Sequence, residues 1–258
     1  MPQQNVYSRQ PTKEELLQQN SLVTVLCKDV GYNKEDLDGI ELEAKIDLIY
    51  KNLFKRNNFE IIIGERLHIP EPYSQDRILD KRASTHHFYG FLNENGKLDY
   101  AFSKNSMDNG NKIKLKKNLE YIEYNGIIFT KRLEQHLNNL SPLEINQFIS
   151  KQAQESKKPL KYVGALLRET KEVFIFNPTS GRIFVITTGI CSTELNKNKF
   201  YQLELEYYGQ VNGFKTSENI YDDMYFLANR LLKDLPNHGY LGKPSRITKF
   251  DWLVQQIK

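Results

Sequence analysis

Residues 40 to 48 alternate without a break: Ile40, Leu42, Ala44, Ile46 and Leu48 fall on one face, and Glu41, Glu43, Lys45 and Asp47 on the other. A period of two belongs to a β-strand, because successive side chains point to opposite sides of a pleated backbone. The pattern returns at residues 200 to 208, where Tyr201, Leu203, Leu205 and Tyr207 oppose Gln202, Glu204, Glu206 and Tyr208. Neighbouring carboxylates on one strand face repel each other. One such strand reads more simply as a solvated outer face, but two in one domain call for positive charge set against them.

The rest of the chain supplies more strands and a few helices. Strand-like runs occupy residues 59 to 63, 86 to 92, 112 to 116, 120 to 130, 161 to 176, 182 to 190 and 199 to 208. Asn95-Gly96, Asn109-Gly110 and Asn125-Gly126 are hairpin turns by composition, and residues 177 to 181 form a longer loop. Thr12 with Glu15 and Ser141 with Pro142 and Glu144 open two helices through capping boxes. A third helix is predicted over residues 217 to 235, where Ile220, Met224, Leu227, Ala228, Leu231, Leu232 and Leu235 repeat at helical spacing before Pro236 ends it. The expectation is an α+β domain, mainly antiparallel sheet with helices at its ends. It divides into an N-terminal arm and helix over 1–35, a main domain over 36–236 and a tail over 237–258 packed on that domain.

Paired carboxylates are the ligands of hard cations such as Mg2+ and Mn2+, so Glu41, Glu43, Glu204 and Glu206 facing one another would make a metal site. Basic strand positions complement them. Lys112, Lys114 and Lys116 alternate with Ile113 and Leu115, while Lys131, Arg132, Arg168, Lys171 and Arg182 lie in or beside other strands. Cations lining a closed sheet are what a triphosphate needs, since its charge, and that of the phosphoryl group in transfer, must be balanced by ammonium, guanidinium and metal. The lysine strand also reads as the charged outer face of an edge strand that discourages aggregation.

The stretch Ile40-Glu41-Leu42-Glu43-Ala44-Lys45 resembles the Glu-x-Glu-x-Lys/Arg signature of the triphosphate tunnel metalloenzymes, a superfamily that includes the CYTH proteins and the metal-dependent RNA triphosphatases of fungal and large-DNA-virus mRNA capping systems. The stretch from Tyr201 to Gly209 resembles that superfamily's closing acidic strand, and the pair of strands from Leu166 to Phe176 and from Arg182 to Thr188 resembles its arginine strand followed by an acidic-x-Thr strand. Val185 stands at the acidic place of the last element, and Gln202 stands where some members carry a third glutamate.

The resemblance implies a closed antiparallel β-barrel, a tunnel, with helices packed at its ends. Glu41, Glu43, Glu204 and Glu206 would hold Mg2+ or Mn2+ and take part in catalysis with Arg168. Lys45, Lys112, Lys114, Lys116, Arg132, Arg168, Lys171, Arg182 and Thr187 would grip phosphates. The implied reaction is hydrolysis of the terminal phosphate of a triphosphate (an RNA 5′ end, a nucleotide or tripolyphosphate), foremost as a capping-type RNA 5′-triphosphatase with a capping guanylyltransferase as partner. The superfamily also contains adenylyl cyclases and non-catalytic tunnel-fold binding or scaffold proteins.

Other chemistries fit less well. His86 and His87 are adjacent on a strand and point to opposite faces, so they do not ligate one metal together and read as structural or surface residues. No phosphate-binding glycine loop or nucleophile elbow is present. Cys27 and Cys191 match no metal-ligand spacing and read as reduced thiols, which places the expected compartment in the cytoplasm or nucleus. The net charge of +4 suits a polyanionic ligand without requiring nucleic acid, and no membrane segment is expected.

Overall fold

In a computed structural model, residues 40–50, 74–107, 110–193, 198–210 and 219–257 are described. The arm and helix expected within 1–35, the strand expected at 59–63 and Asn109 of the Asn109-Gly110 turn lie outside them. The elements are β1 Ile40–Tyr50, β2 Ser74–Leu92, β3 Leu98–Met107, β4 Gly110–Tyr124, β5 Ile127–Leu140, α1 Pro142–Ser156, β6 Leu160–Phe176, β7 Arg182–Ser192, β8 Lys199–Gln210, α2 Ile220–Asp234, a 3-10 turn Leu235–His238, β9 Tyr240–Ser245 and α3 Lys249–Gln256.

The strands run in the order β5-β4-β3-β2-β6-β7-β8-β1, and β1 pairs back onto β5, which closes a ring of eight antiparallel strands. One edge of β1 is shared: residues 40 to 44 pair with β5, and residues 45 to 50 pair with β9. Closure leaves no open edge in the ring, which removes the aggregation hazard of an unpaired strand. The β4–β5 hairpin turns on Asn125 and Gly126 with φ of 50° and 81°, the positive values a two-residue turn needs to match the twist of its strands.

The barrel is apolar on its outside. Leu42, Ala44 and Ile46 of β1, Phe184 and Ile186 of β7, and Leu203 and Leu205 of β8 pack with Met224, Leu227 and Leu231 of α2. Each such side chain, fully buried, stabilises the fold by roughly 1.5–3 kcal/mol. Asn219 caps α2, with Asp222 and Asp223 in its first turn. Helix α1 covers Phe102 and Ile113 through Ile145. It begins at the Ser141–Glu144 capping box with Pro142 in its first turn, and ends at Lys157 in the left-handed region.

Helix α3 does something different. Its Phe250, Trp252 and Leu253 pack against Phe88, Leu166, Cys191 and Phe200 at one end of the barrel. Trp252 stacks on Phe200 with 5.5 Å between ring centroids. That end is thereby filled. Among the described residues no helix is long and apolar enough to cross a membrane.

Candidate active site

With the apolar positions turned outward, the polar positions of the same strands line the interior. Register fixes the neighbours: Glu43 lies opposite Glu206 and Lys45 opposite Glu204 on the β1–β8 ladder, Glu41 opposite Arg132 on β1–β5, and Thr187 opposite Glu204 on β7–β8. Lys112 and Lys114 lie opposite the buried Asn105 and Ser103, and Lys116 lies opposite Glu134. A cavity of roughly 410 Å³ runs along this wall, bordered by Lys45, Lys114, Lys116, Arg132, Arg168 and Lys249. Its volume is in the range of small-molecule sites.

These charges are already paired. Glu43 binds Lys45 and Arg132; Glu41 binds Arg132 and Lys116, the latter at 3.1 Å. Glu134 takes Lys114 at 2.6 Å, Lys116 at 2.8 Å and His136. Glu204 divides its two oxygens between Arg168, at 2.9 Å, and Lys249. Burial opposes the charge of Glu204, but Lys249 and Arg168 overcome it and hold the carboxyl well below its usual range. Burial likewise opposes the charge of Glu134, and His136, Lys116 and Lys114 reverse that effect. Burial also works against Lys116, which Glu41 and Glu134 nevertheless keep protonated.

Glu206 and the Nε of Arg168 stand apart from these pairs. Glu206 is pushed up to about 8, first by loss of water and then by the charge of Glu41, so it carries a proton at neutral pH. The Nε of Arg168 is buried without a hydrogen-bond partner. A guanidinium N–H left unmatched inside a protein costs on the order of 1–3 kcal/mol, and perturbed groups gathered in one cleft mark a functional site.

Of the residues singled out from sequence, Glu41, Glu43, Glu204, Glu206, Lys45, Lys112, Lys114, Lys116, Arg132, Arg168 and Thr187 share the inner wall. Two expected phosphate ligands, Arg182 and Lys171, and the basic strand residue Lys131 do not join them. Arg182 is 1% exposed and pairs at 2.7 Å with Asp223 in the first turn of α2, on the outer side of the barrel. It shares the outward phase of Phe184 and Ile186 along β7, whereas Val185 and Thr187 face the inner wall. Lys171 lies opposite Thr188, which itself lies opposite the core residue Leu203, so it belongs to the outer face. Lys131 lies opposite Leu42, also on the outer face. Lys117, one residue beyond the inward series, is exposed at the rim of the cavity.

Two inward residues, Glu134 and Lys249, carried no usable sequence signal. Glu134 follows Leu133 in a segment with no strict alternation. Lys249 opens a short helix far from any acidic strand. His86 and His87 do face opposite sides: His87 bonds Tyr162 at 3.1 Å, while His86 is 7% exposed and lines the cavity. Gln202 donates to Asp47 at 2.8 Å and to the Ile247 carbonyl at 3.1 Å. Ser245 donates to Asp47 at 2.6 Å. This small network ties β1 and β8 to the segment leading into α3, and so positions Lys249.

Among the described residues no three histidine, cysteine or carboxylate side chains converge on one point. The donor set nevertheless fits a hard cation: Glu43 and Glu206 are cross-strand partners, Glu41 and Glu204 are the next inward positions on their strands, and all the ligands would be oxygen.

No family model matches the chain, and no curated protein matches it. Several solved structures are similar. HpAC1 from Hippeastrum, described as revealing a dominant triphosphatase activity, has a TM-score of 0.46 at 14% identity, over 84% of this chain and 96% of that one. The S. pombe Pct1 RNA triphosphatase has a TM-score of 0.35 at 12% identity, over 86% and 90%. The same enzyme in complex with the Spt5 CTD has a TM-score of 0.34 at 10% identity, over 92% and 95%. At such identities these are likenesses only, and the chemistry of this chain rests on its own inward-facing residues.

Proposed function

We propose that the barrel is a triphosphate-binding tunnel and that the chain hydrolyses the terminal phosphate of a triphosphate with the help of Mg2+ or Mn2+, an RNA 5′ end being the foremost substrate. The observation that carries this reading is the arrangement of cations along one cavity. Lys45, Lys114, Lys116, Arg132, Arg168 and Lys249 come from five different elements, converge on one space and are paired there with Glu41, Glu43, Glu134 and Glu204. A buried ion-pair network contributes little net stability, because desolvation offsets attraction. Its benefit lies in exchange of partners. Phosphate oxygens would take the cations, and the acids released from them would be free to hold a metal.

A divalent ion held by Glu43 and Glu206, with Glu41 beside them, would neutralise the acids and polarise a phosphoryl oxygen. Arg168 turns its unmatched Nε, and the nitrogen now on Glu204, onto phosphate oxygens, where a planar guanidinium makes a two-point contact. Lys116 and Arg132 bind the phosphate chain once they leave Glu41. Glu204, kept ionised, accepts a hydrogen bond from the attacking water and aligns it for in-line displacement. The water oxygen bonds to the terminal phosphorus and its proton passes to solvent, while the bond from that phosphorus to the bridging oxygen breaks and its electrons remain on the diphosphate end.

A phosphate-release assay on 5′-triphosphate RNA, ATP and tripolyphosphate, with and without Mn2+, tests the reading. Release from at least one of them only when metal is present is the expected result. Cyclic AMP formed from ATP in place of phosphate would assign the chain to cyclisation.

A further inference from the structure

His86 sits on the inner face of β2 between Ser84 and Phe88, where it lies opposite Leu166 while Ser84 lies opposite Arg168. One ring nitrogen pairs with the Ser84 hydroxyl at 2.8 Å, and Phe88 stacks beside it at 6.3 Å between centroids. The neighbouring strand β3 presents the uncharged Ser103 and Asn105 to the interior, bonded to each other at 3.2 Å. The charged groups that act on the ring are all positive: Arg168 from β6, Lys249 from α3, and Lys114 and Lys116 from β4. Burial first, and then these cations, hold the imidazole well below its ordinary range.

A structural histidine on a charged wall usually finds a carboxylate, which fixes its tautomer. This one has a hydroxyl on one side and cations around it, and it borders the cavity. A polyanion entering that cavity would cancel the field that keeps the ring neutral. The group would then gain a proton and a second N–H donor where phosphate oxygens lie.

We propose that His86 is a proton-linked phosphate-binding residue: neutral in the empty tunnel, it takes a proton from solvent when a polyphosphate binds and donates that N–H to the phosphate chain. The inference rests on the reading of the barrel as a triphosphate site. It adds that binding there consumes a proton, so the affinity of the tunnel for a polyanion rises as pH falls through the neutral range.

The test uses the full chain without metal, in a chelator, so that no hydrolysis occurs. The His86 ring signal, identified by its proximity to the Phe88 ring, is followed by NMR from pH 5.5 to 9 with and without tripolyphosphate. Its titration midpoint is expected to rise by about one pH unit or more on binding, a tenfold change in proton affinity. His86→Gln keeps a polar neutral side chain and is expected to weaken tripolyphosphate binding about tenfold at pH 6 and little at pH 9. Binding that shifts other signals but leaves the His86 midpoint unmoved would overturn the proposal and leave the site reading intact. Absence of any tripolyphosphate binding would overturn both. If His86→Gln failed to fold, the titration of the unmodified protein would still decide the question.

Discussion

Glu43 and Glu206 are direct cross-strand partners on the inner wall of the barrel, one ionised between Lys45 and Arg132 and the other holding a proton up to about pH 8. The unfolded chain loses the proton of Glu206 near the ordinary glutamate value, so between that pH and 8 the native state binds more protons. Its contribution to stability is therefore full in acid and is lost as pH rises toward 8. The melting temperature of the metal-free protein should fall over this range, and Glu206→Gln should flatten the fall. Mn2+ should raise the melting temperature more at pH 8.5 than at pH 6, because it competes with that proton. A metal effect equal at both pH values would place the ion away from Glu206.

Arg168 and Lys117 make a controlled comparison, since each variant deletes one positive charge. Arg168→Ala removes a buried fork beside Glu204 and should lower turnover about 10²–10³-fold, as loss of a preorganised donor does. Lys117→Ala, exposed and screened at the rim, should change it by less than about threefold. Arg168→Lys should restore activity only in part, because an ammonium cannot make the two-point contact. Steady-state rates on one triphosphate check all three.

Much of this architecture was legible in the chain. Unbroken alternation in β1 and β8 marked both acidic strands and their polar face, and the capping residues located α1 and α2. The sense of the barrel was harder to read, because alternation tells which residues share a face but not which face looks inward. Outward cover by α2 settles that only in three dimensions. The resemblance put Arg182 among the phosphate ligands. Alternation along β7 sends it the other way, with Phe184 and Ile186, toward Asp223. Lys249 and Glu134 became visible only once α3 filled one mouth and β5 closed on β1.

The reassigned Arg182 has its own consequence. Asp223 also accepts from Asn177 at 3.1 Å and Ser180 at 3.3 Å, so Arg182→Ala leaves a buried carboxylate short of its charge partner. That should cost about 3–5 kcal/mol of stability, read by denaturant unfolding. The fraction that still folds should keep its turnover per molecule. A selective loss of activity with unchanged stability would return Arg182 to the substrate.

Helix α3 joins packing to chemistry through adjacent residues. Trp252→Ala removes a stacked, 9% exposed indole and should destabilise by about 3–5 kcal/mol. Lys249→Ala should leave that packing intact and instead raise the KM for triphosphate, since the ammonium on Glu204 is one of the cations offered to phosphate. Parallel melting curves and kinetics for the two variants separate these effects.

The central claim is that inward carboxylates and cations exchange their partners for metal and triphosphate. The most direct measurement is phosphate release from 5′-triphosphate RNA, ATP and tripolyphosphate by the unmodified protein and by Glu43→Gln and Glu204→Gln, each with and without Mn2+. Glutamine keeps the volume and hydrogen bonding of these buried side chains and limits the cost of leaving Lys45, Arg132 or Lys249 without a partner. The predicted result is release that requires Mn2+ and that falls at least 10²-fold in both variants while they remain folded. Release that persists without metal, or folded variants as active as the unmodified protein, would contradict it.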